Sequence, residues 1–96
     1  MPKGYMVSAH RSEADPGKRL AYLELAKPAI EAAGGKFLST GARVVAKENG
    51  LAQRTVLIEF VSFEAAVAAY ESVGYQKALE ALADGSDRDL RLIEGI

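Results

Sequence analysis

The sequence predicts an α+β domain with the element order strand, helix, strand, strand, helix, strand. Helix-start signals occur at residues 15–16 and at Ser62, turn residues separate the apolar segments, and residues 56–61 form the most apolar, β-branched run. We find no linker, repeat or low-complexity stretch, so residues 1–96 form one small domain. These observations predict a four-stranded antiparallel sheet with the helices on one face.

The first half of the chain supplies a strand, a long helix and a second strand. Residues 5–10 alternate as a strand does, with Met6, Ser8 and His10 on one side. At residues 15–16, an aspartate suits the helix N-cap and a proline suits the first helical position. A glycine pair ends that helix after about residue 33. We predict the second strand at residues 36–40 and a short extended ribbon at residues 43–47.

The second half supplies the third strand, a helix in two pieces and the last strand. Residues 54–61 form the predicted third strand, and Ser62 caps a helix that runs to about Glu71. An interruption at residues 72–74 precedes a second helical piece, and the last strand is predicted at residues 90–94. This order is that of the split βαβ, ferredoxin-like fold.

One face of the predicted sheet is apolar and has no layer to cover it. In the third strand, Val56, Ile58 and Phe60 share the side suited to the helices, whereas Leu57 and Glu59 lie on the other side. A chain of 96 residues has no segment left for a third layer. Because a large open apolar face is unusual in a monomer, we predict a two-fold homodimer with facing sheets.

Composition narrows the classes of partner. The formal net charge is −1, from 12 basic and 13 acidic residues, and no basic stripe is present, which argues against nucleic acid or an anionic membrane as partner. The absence of cysteine removes disulfides, thiolate metal sites and cysteine nucleophiles. No apolar run approaches a bilayer span or a signal-peptide core, so we predict a cytoplasmic protein.

Glu59 is the candidate catalytic residue because a carboxylate inside an apolar strand is costly unless it is paired or faces a pocket. It is either a structural ion pair with a neighbouring lysine or arginine, or a pocket carboxylate with a raised pKa that acts as a general base. In the predicted dimer, we expect Glu59 to lie near the space between the two facing sheets. For an enzyme, we expect the site to be a cavity between the helices and the sheet, with Glu59 as acid or base.

Other polar and aromatic side chains are candidates for binding a ligand, each with a plainer structural alternative such as core packing, helix capping or a solvated charge. They are Tyr5, His10, Arg43, Tyr70, Ser72, Tyr75 and Glu94. We expect Glu94 to face the same cavity as Glu59, and Tyr22 to lie at the surface of the first helix or at the edge of the core. One histidine without cysteine cannot build a typical zinc site, so we predict no metal and no cofactor.

Several segments together resemble the family called domain of unknown function 1330, in the dimeric α+β barrel superfamily. The resemblance rests on residues 1–5, 34–38, 57–60, 62–66 and 72–76, and it extends to the C-terminal residues 93–96. It implies a ferredoxin-like protomer and a sheet-to-sheet homodimer, and it brings no established reaction. At residues 72–75 this chain has Ser-Val-Gly-Tyr where the family more often has Ser-Pro-Glu-Tyr.

Two functions remain open from the sequence. The first is a cofactor-free enzyme that acts on a small organic molecule, with Glu59 as acid or base. The second is a small-molecule-binding or stress-response module without catalysis. RNA binding, which some proteins of this element order perform, would need exposed aromatic side chains on the central strands and a basic face; here the third strand has only Phe60, predicted to face the helices, and the net charge is negative.

Overall fold

The structure is a computed structural model that describes residues 2–41 and 43–96. Within those residues the elements follow the predicted order, with the second helix in two pieces. They are β1 (Gly4–His10), α1 (Pro16–Ala32), β2 (Lys36–Ser39), β3 (Thr55–Phe60), α2 (Phe63–Glu71), α3 (Val73–Leu82) and β4 (Arg88–Glu94). None of the helices in the described residues is long and apolar enough to cross a membrane.

The four strands form one antiparallel sheet in the order β2-β3-β1-β4. The two central strands, β1 and β3, are not adjacent in sequence, as the split βαβ arrangement requires. The Cα atoms extend over 33 × 32 × 16 Å, so the molecule is two layers thick. The predicted ferredoxin-like fold is therefore confirmed, with one sheet face covered by the helices.

Each helix has a side-chain oxygen at its N-cap; α1 and α2 begin where the sequence predicts, whereas α3 begins at Val73, inside the predicted interruption at residues 72–74. Asp15, Ser62 and Ser72 accept hydrogen bonds from the backbone N–H three residues further on, at 2.9, 3.1 and 3.2 Å. Each bond satisfies one of the amides that the first helical turn leaves without a partner. Helix α1 ends at Ala32, and Gly34 follows the C-cap with a φ of +85° that is accessible to glycine at little cost.

The predicted ribbon at residues 43–47 is wrong, since no strand forms there in the part of the chain that the structure describes. Pairing of β2 with β3 ends at Ser39, opposite Leu57. Gly41 then turns the chain with a φ of +66° and passes so close to the backbone of Thr55 that any side chain would collide with it. Residues 43–47 follow this turn and belong to no strand pair.

The two faces of the sheet differ as predicted. Ile58 and Phe60 are buried against the helices, together with Met6 of β1. On the other face, Val61 is 72% exposed and Ile93 is 54% exposed in the single chain. The core therefore lies between the sheet and the helices, and an apolar surface remains on the opposite side.

Candidate functional site

A polar cluster lies between the sheet and α1, at the end of β1 where the chain leaves the sheet. It consists of Ser8, His10, Tyr22, Tyr75 and Arg88. The strand register places His10 directly opposite Arg88, so both side chains lie on the helix-covered face. The register and the alternation of β1 put Ser8 on the same face, where α1 contributes Tyr22 and α3 contributes Tyr75.

Hydrogen bonds connect four members of the polar cluster. The hydroxyl oxygens of Tyr22 and Tyr75 are 2.6 Å apart. Arg88 donates through Nη1 to the Tyr22 hydroxyl at 3.2 Å and to Ser8 Oγ at 3.3 Å. Its guanidinium carbon also lies 5.1 Å from the centroid of the Tyr22 ring, a cation–π distance. Burial raises the pKa of Tyr75, so this hydroxyl stays protonated at neutral pH.

The positive charge of Arg88 has no carboxylate partner among the described residues. Arg88 is half-buried. The ion pairs formed there are Lys3–Glu59, Arg11–Asp87, Lys18–Asp84 and Arg91–Asp89. A half-buried guanidinium without a counter-charge is unfavourable, because protein replaces part of its hydration without offsetting the charge. An anionic ligand would supply the missing charge.

His10 is the titratable group of the polar cluster. Its side chain is 8% exposed, and its Nδ1 lies 3.3 Å from Ser86 Oγ. Burial lowers the pKa of His10, and the charges of Arg88, Arg19 and Arg54 lower it further. The lowered pKa favours the neutral imidazole at pH 7, in which one ring nitrogen accepts a hydrogen bond and the other donates one.

Two hollows meet at this cluster. A cavity of about 40 Å³ lies between the sheet and α1, and its polar end includes Ser8, Tyr22 and Arg88. An open cleft of about 690 Å³ lies beyond the end of β1 and includes Arg54 in its lining. His10, Arg19 and Leu23 line both hollows. Glu13 is the one carboxylate among the residues that line either of them, so the combined surface is cationic.

The structure places Glu59 on the open face of the sheet, away from both hollows. Its Oε1 accepts a hydrogen bond from Lys3 Nζ at 2.8 Å, and its side chain is 21% exposed. The prediction that Glu59 lies in a cavity between the helices and the sheet is wrong, because alternation along β3 turns it away from Phe60 and Ile58. An ion pair with a neighbouring lysine, the plainer alternative, is what the structure contains.

The remaining candidates divide between the two faces of the sheet. Glu94 lies opposite Gly4, as Phe60 does, so it is on the other side of the sheet from Glu59 and the prediction that they share a cavity is wrong. Tyr5 pairs with Glu59 and lies on the open face. Arg43 is exposed in the segment between β2 and β3.

The candidates on the second and third helices have structural contacts. Ser72 caps α3, as its plainer alternative states. Tyr70 packs on Tyr75 with ring centroids 5.2 Å apart, and neither tyrosine lines the cavity or the cleft. Of the predicted ligand-binding residues, only His10 lines both hollows, and Tyr75 is connected to the cavity through its hydrogen bond to Tyr22.

Sequence reasoning missed Ser8, Arg88, Tyr22 and Arg19 as site residues. Arg88 precedes the predicted start of the last strand, although its alternation with Leu90 and Leu92 is a signal that the strand begins earlier. Tyr22 is buried rather than at the surface. Arg19 of α1 is half-buried and lines both hollows.

Among the residues that the structure describes, no group of three or more histidine, cysteine, aspartate or glutamate side chains is arranged to hold a metal ion.

The model of the family called domain of unknown function 1330 (DUF1330) matches residues 3–96. The chain belongs to this family. A search of curated proteins finds no match to this DUF1330 chain.

Solved structures share the fold of this DUF1330 protein. A protein of unknown function from Rhodopseudomonas palustris superposes with a TM-score of 0.71 at 17% identity, covering 99% of this chain and 83% of its own. A protein provisionally assigned as an antibiotic biosynthesis monooxygenase, from Nitrosomonas europaea, gives 0.56 at 19% identity, with coverage of 99% and 90%. A dimeric ferredoxin-like protein of unknown function from Thermobifida fusca gives 0.53 at 11% identity, with coverage of 97% and 91%. At these identities the likeness establishes the fold alone.

Proposed function

We propose that this DUF1330 protein binds a small organic anion where the cleft meets the cavity. The observation that carries the proposal is Arg88, a half-buried guanidinium without a carboxylate partner in the described residues. Arg19, Arg54 and neutral His10 surround the same entrance. A charge-assisted hydrogen bond from a guanidinium to an anionic oxygen is stronger than one between neutral groups, and a guanidinium can hold a carboxylate in a bidentate fashion.

The experiment compares two arginines of the same strand. In Arg88→Gln the charge on the helix-covered face is lost, whereas in Arg91→Gln a charge is lost from the opposite face, where Arg91 pairs with Asp89 at 3.0 Å. A panel of small organic acids, including pyruvate and benzoate, is titrated against ¹⁵N-labelled protein at constant ionic strength. We expect Arg88→Gln to weaken binding about tenfold or more, because it removes a charged hydrogen bond to the anion. Arg91→Gln should leave the affinity unchanged. Equal effects of the two substitutions would show that the anions respond only to net charge.

The anion can be a substrate or only a ligand. Neutral His10 at the entrance can take a proton from a bound acid or enol, which supports a cofactor-free enzyme as the first use of the site. The alternative is a binding or stress-response module without catalysis. Exchange of deuterium into the methyl group of pyruvate, which lies beside its ketone, separates the two, since a catalyst accelerates exchange and a His10→Gln variant abolishes the acceleration.

The homodimer predicted from the sequence is part of this proposal. The open sheet face presents Tyr5, Leu57, Val61 and Ile93 in the single chain, and Val61 and Ile93 are more than half exposed. A second copy on this face would remove these apolar side chains from water. The Thermobifida fusca relative in fold is itself described as dimeric.

A second candidate site is Glu59 at this sheet face. Its carboxylate is only 21% exposed in one chain, and a facing sheet would cover it further. In that setting Glu59 would act as acid or base, with Lys3 as its partner. Glu59→Gln tests this role: the variant keeps its fold, and any turnover found for the wild type falls. Unchanged turnover removes Glu59 from the chemistry.

A further inference from the structure

The hydroxyl protons of the polar cluster are more numerous than their acceptors. Tyr75 is fully buried and does not line the cavity, so within the described residues its proton has one acceptor, the Tyr22 oxygen 2.6 Å away. The Tyr22 oxygen then accepts from both Tyr75 and Arg88, which uses its two lone pairs. The proton of Tyr22 is left without an acceptor, and Tyr22 lines the cavity.

Ser8 repeats this arrangement. Its oxygen accepts a hydrogen bond from Arg88 at 3.3 Å, and its own proton has no acceptor among the described residues. Ser8 is 4% exposed and lines the same cavity. Buried polar groups are nearly always hydrogen-bonded, so two hydroxyl donors and a guanidinium at one end of the cavity call for an incoming group made of acceptor oxygens.

The size of the cavity limits what can enter. Its volume of about 40 Å³ corresponds to roughly three water positions at about 10–15 Å³ each. A carboxylate and one or two carbon atoms fill that space. The remainder of a larger ligand can extend past His10 and Arg19, which line both hollows, into the cleft.

We infer that the ligand is a carboxylic acid with an unbranched α-carbon, whose carboxylate accepts hydrogen bonds from Tyr22, Ser8 and Arg88 inside the cavity. This inference rests on the proposed function and deepens it. A carboxylate has two oxygens with about four lone-pair sites, which suits two hydroxyl donors and a guanidinium at once. The uncharged amide of the same acid offers one acceptor oxygen and would place its NH₂ group against donors.

The experiment uses three small probes of related shape: propionate, propionamide and pivalate. Each is titrated into ¹⁵N-labelled protein, with sodium chloride holding ionic strength constant. We expect saturable shifts with propionate at residues 8–10 and 86–90, about tenfold weaker binding of propionamide, and about tenfold weaker binding of pivalate, whose α-carbon carries three methyl groups. Tyr22→Phe and Ser8→Ala should each weaken propionate binding about fivefold or more, which tests the hydroxyls even if one variant folds poorly. Tyr5→Phe, on the opposite face, is the matched control and should bind as the wild type does.

Two failures are distinguishable. If organic acids bind in an Arg88-dependent way but pivalate equals propionate, or neither hydroxyl variant changes the affinity, the inference is overturned and the proposed function stands. If no organic acid binds in an Arg88-dependent way, both are overturned.

Discussion

The hydrogen bond between Tyr22 and Tyr75 predicts that Tyr22→Phe lowers the unfolding free energy more than Tyr75→Phe does. Tyr22→Phe removes the one acceptor within reach of the Tyr75 proton and leaves a fully buried hydroxyl unsatisfied, which costs about 1–3 kcal/mol. Tyr75→Phe removes one donor from an oxygen that still accepts from Arg88, which costs about 0.5–1.5 kcal/mol. Ring packing is kept in both variants, including the edge-to-face contact at 5.9 Å between centroids.

The double variant decides the reasoning. Because it contains no orphaned hydroxyl, its loss of unfolding free energy should be smaller than the sum of the single losses by about 1 kcal/mol. Urea unfolding followed by circular dichroism at one protein concentration gives the unfolding free energies of the wild type, the two single variants and the double variant. In thermal melts of a domain of this size, about 1 kcal/mol moves the melting temperature by about 4–8 °C. Tyr70→Phe is the control. A larger loss in Tyr75→Phe than in Tyr22→Phe, or strict additivity, would refute the proton assignment.

Three further outcomes are expected. The pKa of His10 is lowered in the folded state below its ordinary 6.5, so on acidification the unfolded chain binds a proton before the folded chain does. The unfolding free energy therefore falls as pH drops from about 7 to 5. Urea titrations should show that the unfolding free energy of His10→Gln depends less on pH, and an unchanged dependence would contradict the shift. Leu57→Lys places a charge on the open sheet face and should give monomers in sedimentation velocity, whereas Leu51→Lys, at an exposed loop residue, should leave a dimer; a Leu57→Lys dimer would place the interface elsewhere. Glu59→Gln should leave propionate binding unchanged because Glu59 lies on the opposite face from the cavity, and a weakened affinity would contradict that separation.

The fold could be predicted because its signals are local. The caps at Asp15, Ser62 and Ser72 each depend on one side chain and an amide three residues away. The faces of β3 follow from strict alternation between Val56 and Phe60. Such patterns lie within a few residues of one another, so one sequence without relatives is enough to recognise them.

The site could not be predicted in the same way because it is assembled over long sequence separations. Arg88 meets Ser8 and Tyr22 across 80 and 66 residues, and Tyr22 meets Tyr75 across 53. In the sequence alone, a buried polar residue on a strand or helix that mixes polar and apolar residues cannot be told from a solvent-exposed one. The register between β1 and β4 is needed to separate the two. Glu59 was predicted as a site residue because its neighbours in sequence are apolar. Its ion-pair partner, Lys3, is 56 residues away and could not be identified from that local pattern.

The two proposed sites lie on opposite faces of the sheet and differ in whether they need a dimer. Every member of the polar cluster that contacts the proposed carboxylate comes from one chain, whereas Glu59 gains a sheltered environment only if a second chain covers it. A monomeric Leu57→Lys variant should therefore keep the affinity of the wild type for propionate while it loses any Glu59-dependent turnover. If propionate binding disappears together with the dimer, the cavity needs a partner chain, and the assignment of the carboxylate to Ser8, Tyr22 and Arg88 of a single chain is wrong.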